Sequence, residues 1–204
     1  MKIVFTTIPM KEYIERLHYP VAGNTTIEYN GAVYFPVNAV LAKSLKNGET
    51  VKVVRIMNSI GASKENARIF KSELESINAH IGAQLSFYDV IEDFRENKET
   101  HESRFRKLLD FLEEDAEIIA DITYGQKTLS HILFCVLNFA EKFFNVRITS
   151  VIYGKAEFEN GSIKKDSQML YDITPLYYLN TLIGAMEAPS GKDAIKALDR
   201  FFSL

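Results

Sequence analysis

The segment EIIADITYGQKTLSHILFCVLNFAEKFF, residues 117–144, decides the fold. It opens with a short apolar run at 117–122 that is typical of a buried strand. It then passes Gly125 and continues from 128 to 144 as a strongly apolar segment of helical length. A strand that leads through a glycine turn into a helix is the repeating unit of a parallel α/β sheet.

The same alternation extends over most of the chain. Strands are predicted at 2–8, 51–57, 84–90, 147–153 and 169–173, and helices at 36–46, 63–80, 99–114 and from 174 onward. We therefore expect an α/β fold with a Rossmann-like, mostly parallel sheet and helices on both faces. A single domain over residues 1–204 is predicted. It ends in a C-terminal helical segment at about 174–204, of which the last part, 192–204, would dock on the sheet or on a partner.

Two Asn-Gly pairs signal turns. Asn30-Gly31 lies between alternating runs and predicts a small β-hairpin insertion at about 24–35, after the first strand. Both residues of such a pair accept positive φ, which a two-residue hairpin turn needs. Asn160-Gly161 predicts a second turn near the end of the sheet.

Composition limits the function classes. The chain has 204 residues, 47% hydrophobic and 25% charged, with a net charge of −3. This charge argues against a long nucleic-acid duplex on a broad basic face, but allows a small phosphorylated ligand. The apolar runs are too short to span a bilayer, and a lone cysteine, Cys135, excludes a disulfide framework. We expect a cytoplasmic protein without membrane contact, in which Cys135 is a core residue.

Common catalytic and cofactor motifs are missing from the sequence. It has no G-x-G-x-x-G after the first strand, no phosphate-binding G-x-x-x-x-G-K-[ST], and no G-x-S-x-G. The histidines lack metal-ligand spacing, so no metal and no cofactor are expected. His131 is predicted to be a core or interface residue. The charged residues of 99–107, Arg104 among them, are predicted to form a solvated helix face.

Ligands of open parallel sheets bind beyond the carboxyl ends of the strands. Three loops qualify: 6–10, 58–61 and 121–128. The third enters a helix through Gly125, Lys127 and Thr128, and the N–H groups of a helix start attract phosphate. The alternative is structural, with Gly125 forming a tight turn and Thr128 capping the helix.

The sequence DITYG at 121–125 closely resembles the D-x-T-H-G motif of one family of CRISPR-associated proteins. The pair YNG and YFP at 29–36 resembles the hairpin and helix entry that this family places after its first strand. Downstream, VIYG at 151–154 and YDITP at 171–175 resemble its closing strands and its recurrent D-[IL]-T-P helix start. The resemblance covers nearly all of the chain, and Tyr124 departs from it where the motif has histidine.

This resemblance implies a CRISPR-associated Rossmann-fold (CARF) sensor of type III CRISPR antiviral defence. Such proteins form homodimers that bind cyclic oligoadenylate across the two-fold axis, and cyclic tetra-adenylate fits that symmetry best. A tyrosine at 124 could stack on adenine. The ligand-binding residues that the resemblance implies are Thr6, Thr7, Met10, Asn58, Ser59, Tyr124, Gly125, Gln126, Lys127 and Thr128.

Other functions stay open at this point. A ring nuclease would cleave the same ligand without metal, through attack of a ribose 2′-hydroxyl on the adjacent phosphate, leaving a 2′,3′-cyclic phosphate. Lys127 would then stabilise charge, while Thr7 and Gln126 would orient the reacting groups. A nucleotide-dependent Rossmann enzyme and a pure assembly subunit are further alternatives. The ring size, and whether the chain is a stand-alone sensor or a domain of a larger effector, also stay open.

Overall fold

The computed structural model describes residues 1–159 and 162–203, so the turn predicted at Asn160-Gly161 lies outside the described residues. Seven strands form one sheet in the order β2-β9-β6-β5-β1-β3-β4, and β7 and β8 form a separate pair. The strands are β1 (Lys2–Thr7), β2 (Val21–Ala22), β3 (Thr50–Asn58), β4 (Gln84–Glu92), β5 (Glu117–Asp121), β6 (Arg147–Lys155), β7 (Phe158–Glu159), β8 (Ser162–Ile163) and β9 (Met169–Asp172).

The centre of the sheet is parallel. Strand β1 pairs in parallel with β3 on one side and with β5 on the other, and all six of its residues are buried. Burial on both faces explains its near-continuous apolar sequence. Only β9 runs antiparallel to its neighbour β6. The predicted α/β fold with a Rossmann-like, mostly parallel sheet is confirmed.

Six helices and one short 3-10 helix accompany these strands in the described residues. The helices are α1 (Pro36–Ser44), α2 (Ser63–Asn78), α3 (Lys98–Leu109), α4 (Lys127–Phe144), α5 (Thr174–Ala185) and α6 (Gly191–Phe202). The side chains of α1 and α2 form a hydrophobic cluster with Val4 of β1. Ile3 and Phe5, also fully buried, point to the opposite face because side chains alternate along a strand. Helices α3 and α4 contact each other and cover that second face.

The hairpin predicted at 24–35 is wrong. Residues Thr25–Ile27 form a 3-10 helix, and the segment makes one isolated bridge, from Val33 to Leu17. Neither Asn30 nor Gly31 has the positive φ that a two-residue hairpin turn requires. The backbone that follows is instead fixed by Glu73 of α2, whose carboxylate accepts the N–H group of Tyr34.

Two compact units can be distinguished, Met1–Thr174 and Pro175–Leu204. The first contains the whole sheet and α1 to α4. In the second, an apolar hollow lies between α5 and α6, and Leu176, Tyr178, Leu182, Phe201 and Phe202 contribute to its lining. The single domain over 1–204 stays a prediction. None of the helices in the described ranges combines the length and apolar character that crossing a membrane requires.

Candidate functional site

The strand order reverses between β1 and β5. Strands β3 and β4 lie outward from β1 on one side, whereas β5 and β6 lie on its other side. The loops after β1 and β5 diverge at such a point and leave a crevice at the carboxyl ends of the strands. Thr6 and Thr7 at the end of β1 lie directly beside Asp121 at the end of β5.

Asp121 organises the loop after β5. Its fully buried carboxylate accepts the Thr6 hydroxyl at 3.0 Å and the Thr123 N–H at 2.9 Å. Thr7 Oγ1 accepts the N–H of Tyr124 at 2.9 Å, and Thr123 Oγ1 accepts the N–H of Gly154 on β6 at 2.8 Å. The hydroxyls of Thr6 and Thr7 therefore fix the shape of the loop. Because both residues are buried, they stabilise the loop from inside the protein and do not line the surface of the site.

Burial raises the pKa of Asp121 from its ordinary value of 3.8 to about 6. The hydrogen bonds from Thr123 and Thr6 favour the carboxylate and oppose this effect, but desolvation is the larger influence. Asp121 is thus a buried carboxyl that changes its charge just below neutral pH.

Tyr124 and Gly125 form the turn at the rim of the crevice. The half-buried ring of Tyr124 lies edge-on to Phe35, with ring centroids 6.4 Å apart. Desolvation raises the pKa of its hydroxyl well above the ordinary value, so this hydroxyl stays protonated. Gly125 has φ +96°, a conformation that L side chains rarely adopt. This conformation agrees with the structural alternative for Gly125, a tight turn, whereas Thr128 does not cap the helix.

A cavity of about 390 Å³ opens beside this turn, at the carboxyl ends of β1, β5 and β6. Its walls are rich in aromatic side chains, namely Tyr13, Tyr19, Tyr34, Tyr124, Tyr153 and Phe158. Met10, Lys11, Lys155 and the acidic Glu15 also line it; Lys11 Nζ lies 4.1 Å from the centre of the Phe158 ring, and Lys155 pairs with Glu157 at 3.1 Å. Flat aromatic walls with ammonium groups at the edge suit a ligand that combines planar rings with negative charge.

A second polar cluster joins the loops on either side of β1. Arg104 of α3 donates from Nη2 to Asn58 Oδ1 at 3.1 Å and from Nη1 to Gln126 Oε1 at 3.2 Å. Asn58 Nδ2 in turn lies 3.4 Å from the sulfur of Met10. Three residues predicted from separate loops (Met10, Asn58 and Gln126) are thus brought together through Arg104.

Three other predicted residues, Ser59, Lys127 and Thr128, lie outside this cluster. Lys127 is exposed at the first turn of α4. Thr128 donates its hydroxyl to Glu96, and the exposed Ser59 donates to Asp93 at 3.1 Å. The hydrogen bond from Thr128 is the largest cause of a lowered pKa at Glu96. Ser59 and Thr128 therefore contact the acidic segment that follows β4, and the structure does not unite them with the cavity.

Arg104 was not among the residues predicted for the site. It was predicted to lie on a solvated face, but only 1% of its surface is exposed. The spacing contained a signal for its burial. Thr100 and Leu108 lie four residues before and after Arg104, so a helix places all three on one face, and all three are buried. The prediction that Cys135 is a core residue is also wrong, because this side chain is exposed on α4. His131 is exposed as well, so its interface role stays a prediction.

In the described part of the chain, no three His, Cys, Asp or Glu side chains are grouped so that they could hold a metal ion. The chain was compared with protein-family models, and none matches. A search of curated proteins also finds no match.

Proposed function

We propose that this protein binds a cyclic oligoadenylate, cyclic tetra-adenylate above all, at the crevice between β1 and β5. One observation carries the proposal: the aromatic cavity lies where the strand order reverses and is bordered by the loop DITYG at 121–125. The fold and the motif thus agree on one location. The cavity's own chemistry, described above, is that of a site for bases linked by phosphates.

The dimensions and charges of the site suit such a ligand. A cavity of about 390 Å³ lies within the range for small-molecule sites, and each base stacked on an aromatic ring contributes roughly 1–3 kcal/mol. Lys11 lines the cavity, and Lys127 lies at the start of α4, shortly after the motif loop. In a symmetric dimer each subunit would present the same groups to half of a cyclic tetranucleotide, whose own symmetry is two-fold.

Binding without cleavage is the form of the proposal that the site favours. In a ring nuclease Thr7 would orient the reacting groups, but its hydroxyl is buried and already accepts the Tyr124 N–H. Lys127 and Gln126 alone would remain for that chemistry. A nucleotide-dependent Rossmann enzyme is less well supported, because the loop after β1 reads Ile8-Pro9-Met10 and contains no glycine that would allow close approach to a pyrophosphate.

Calorimetric titration of the purified protein with cyclic tri-, tetra- and hexa-adenylate tests the proposal, with linear tetra-adenylate and ATP as controls. Two tyrosines provide a matched pair of variants, since Tyr153 on β6 and Tyr88 on β4 are each 39% exposed on a strand and contact one other ring. Only Tyr153 lines the cavity. We expect Tyr153→Ala to weaken cyclic tetra-adenylate binding by roughly 1–3 kcal/mol and Tyr88→Ala to leave it unchanged.

The same samples, analysed for linear products with 2′,3′-cyclic phosphate ends, decide between sensor and nuclease. We expect the ligand to be recovered intact. The proposal fails if no cyclic oligoadenylate binds, or if both tyrosine variants lose the same affinity.

A further inference from the structure

Arg104 is a buried cation without an ion pair. Its side chain is 1% exposed, and no carboxylate of the described residues lies within 4.0 Å of its guanidinium. Its Nε has no hydrogen-bond partner among the same residues. Buried arginines are normally paired, because a desolvated charge is costly unless an opposite charge compensates it.

The guanidinium fixes the orientation of two amides. Arginine only donates hydrogen bonds, so Asn58 and Gln126 must both direct their carbonyl oxygens toward Arg104. Their NH₂ groups therefore point away from it. Because arginine has no acceptor atom, its two contacts identify which terminal atom of each amide is the oxygen.

Both NH₂ groups lack a strong acceptor. Gln126 Nε2 is buried and has no hydrogen-bond partner in the described structure, although the residue as a whole is half-exposed. Asn58 Nδ2 meets only the thioether of Met10, which is a weak acceptor. A buried donor without an acceptor loses its hydrogen bond to water without replacement, which is unfavourable. An anion with several acceptor atoms would supply the acceptor that these amide groups lack.

The cluster lies at the start of α4. Gln126 precedes the first turn of this 18-residue helix, and no side chain caps its N–H groups. Arg104 joins the two amides where the loops after β3 and β5 meet, and Gln126 directly precedes the N–H groups of the helix start. A helix N-terminus favours anions, and here the buried and unpaired arginine adds an independent reason for one.

We propose that Arg104 is a positioning residue of an anion subsite, which holds Asn58 and Gln126 as hydrogen-bond donors to a phosphate group. The phosphate belongs to the bound ligand, so the inference rests on the proposed function for the ligand's identity. Burial lowers the pKa of Arg104, and the nearby carboxylates of Glu92 and Glu96 oppose this effect, but neither lies within 4.0 Å of its guanidinium and both accept hydrogen bonds from other groups. Glu92 accepts Lys107 Nζ and Ser103 Oγ, both at 2.6 Å, and Glu96 accepts Thr128 and His101.

The substitution Gln126→Glu separates binding from stability. A carboxylate at this position would form the ion pair that Arg104 lacks, so the melting temperature should be equal to or above that of the wild type. The same change removes the NH₂ donor and adds a negative charge. We expect affinity for cyclic tetra-adenylate to fall at least about ten-fold, the effect of one lost charge-assisted contact.

Arg104→Met and Arg106→Met form a matched pair on α3, because each removes one guanidinium and Arg106 is exposed. Only the first should reduce affinity at least about ten-fold. In ¹⁵N-labelled full-length protein, inorganic phosphate should shift the side-chain amide resonance of Gln126 saturably, and Arg104→Met should abolish that shift. This readout stays informative if Arg104→Met is less stable, because Gln126→Glu reports on the folded protein.

The outcomes distinguish the subsite from the proposed function. If phosphate shifts the Gln126 amide in an Arg104-dependent manner but cyclic tetra-adenylate does not bind, the subsite stands and the proposed function fails. If cyclic tetra-adenylate binds equally to wild type and Gln126→Glu, the proposed function stands and the subsite is refuted. Equal losses in Arg104→Met and Arg106→Met would also refute it.

Discussion

Asp121 shows how one residue can shape a site without facing its ligand. The carboxylate accepts two hydrogen bonds from Thr123 and one from Thr6, and thereby closes the turn that carries Tyr124 and Gly125. The energetic consequence is unusual for an aspartate. Its pKa lies above the ordinary value when the protein is folded, so ionisation at neutral pH opposes folding.

Asp121→Asn should therefore change how stability depends on pH. With a pKa of about 6 when folded and 3.8 when unfolded, Asp121 contributes stability that is fully present below about pH 4 and is lost as the pH rises through 6. The difference amounts to roughly 3 kcal/mol at 1.36 kcal/mol per pKa unit. Relative to wild type, the asparagine variant should gain about that much between pH 4 and pH 7. Urea unfolding at both pH values measures it.

Asp89→Asn is the control for this experiment, because Asp89 is partly exposed and pairs with Arg55 at 2.7 Å. Its substitution should show no such gain at neutral pH. A stability difference between wild type and Asp121→Asn that is the same at pH 4 and pH 7 would contradict the assigned pKa.

Substitution of Lys127 tests whether the positive charge at the start of α4 contributes to ligand binding. Its side chain is exposed, and a lysine in the first turn of a helix gains nothing from the helix dipole. Lys127→Ala should leave the melting temperature unchanged and weaken cyclic tetra-adenylate binding by roughly 1.5–3 kcal/mol, the range for a charge-assisted hydrogen bond. Lys142→Ala, in the last turn of the same helix, should leave binding unchanged and lower the melting temperature slightly, because the helix dipole favours a cation there. Unchanged binding in Lys127→Ala would show that this ammonium points into solvent.

Sequence patterns located the site residues better than they assigned their roles. Thr6, Thr7 and Asp121 were placed correctly at strand ends, because strand boundaries follow from local apolar runs. That the two threonines are buried supports depends on contacts 114–115 residues apart in the chain, which no local pattern encodes. Arg104 was misjudged for the opposite reason, since its polarity outweighed the buried neighbours at helical spacing.

Among the elements, the central strands and helices were predicted closely. Helix α4 begins at Lys127, one residue before the predicted start, and ends at Phe144 as predicted. Such segments carry strong periodicity and clear boundaries. The hairpin failed because its turn signal was local, whereas the backbone at Tyr34 and Phe35 is fixed by Glu73, 38 and 39 residues away. Tertiary hydrogen bonds overrode a sound local preference.

The turn between β5 and α4 should tolerate little change. An added Cβ at Gly125 would lie 2.9 Å from Leu129 Cδ2, and Leu129 is buried. Gly23 has nearly the same φ, +93° against +96°, but no atom within 4 Å of an added Cβ. Gly23→Ala should cost about 1–2 kcal/mol for the backbone alone. Gly125→Ala should cost about 1 kcal/mol more, because Leu129 must move.

Chemical denaturation of both glycine variants measures this difference. Equal losses of stability would show that Leu129 yields freely, and that the turn is held by its backbone conformation alone. Because such a variant also displaces the loop, a binding defect at Gly125 would not by itself identify a ligand contact.

At the scale of the whole molecule, the proposal requires two chains. Helix α4 buries Leu133, Val136 and Leu137 against the sheet but leaves Cys135 and Phe143 exposed. The predicted homodimer uses this helix, and it stays a prediction. The symmetry of a cyclic tetranucleotide makes the dimer and the ligand parts of one hypothesis, since each subunit would hold half of the ring.

Native mass spectrometry with cyclic tetra-adenylate tests both parts at once. The account predicts a complex of two chains with one ring, formed by wild type at micromolar concentration and strongly reduced in Gln126→Glu. A chain that remains monomeric and takes up no ring, or that binds one ring per monomer, would contradict the central claim.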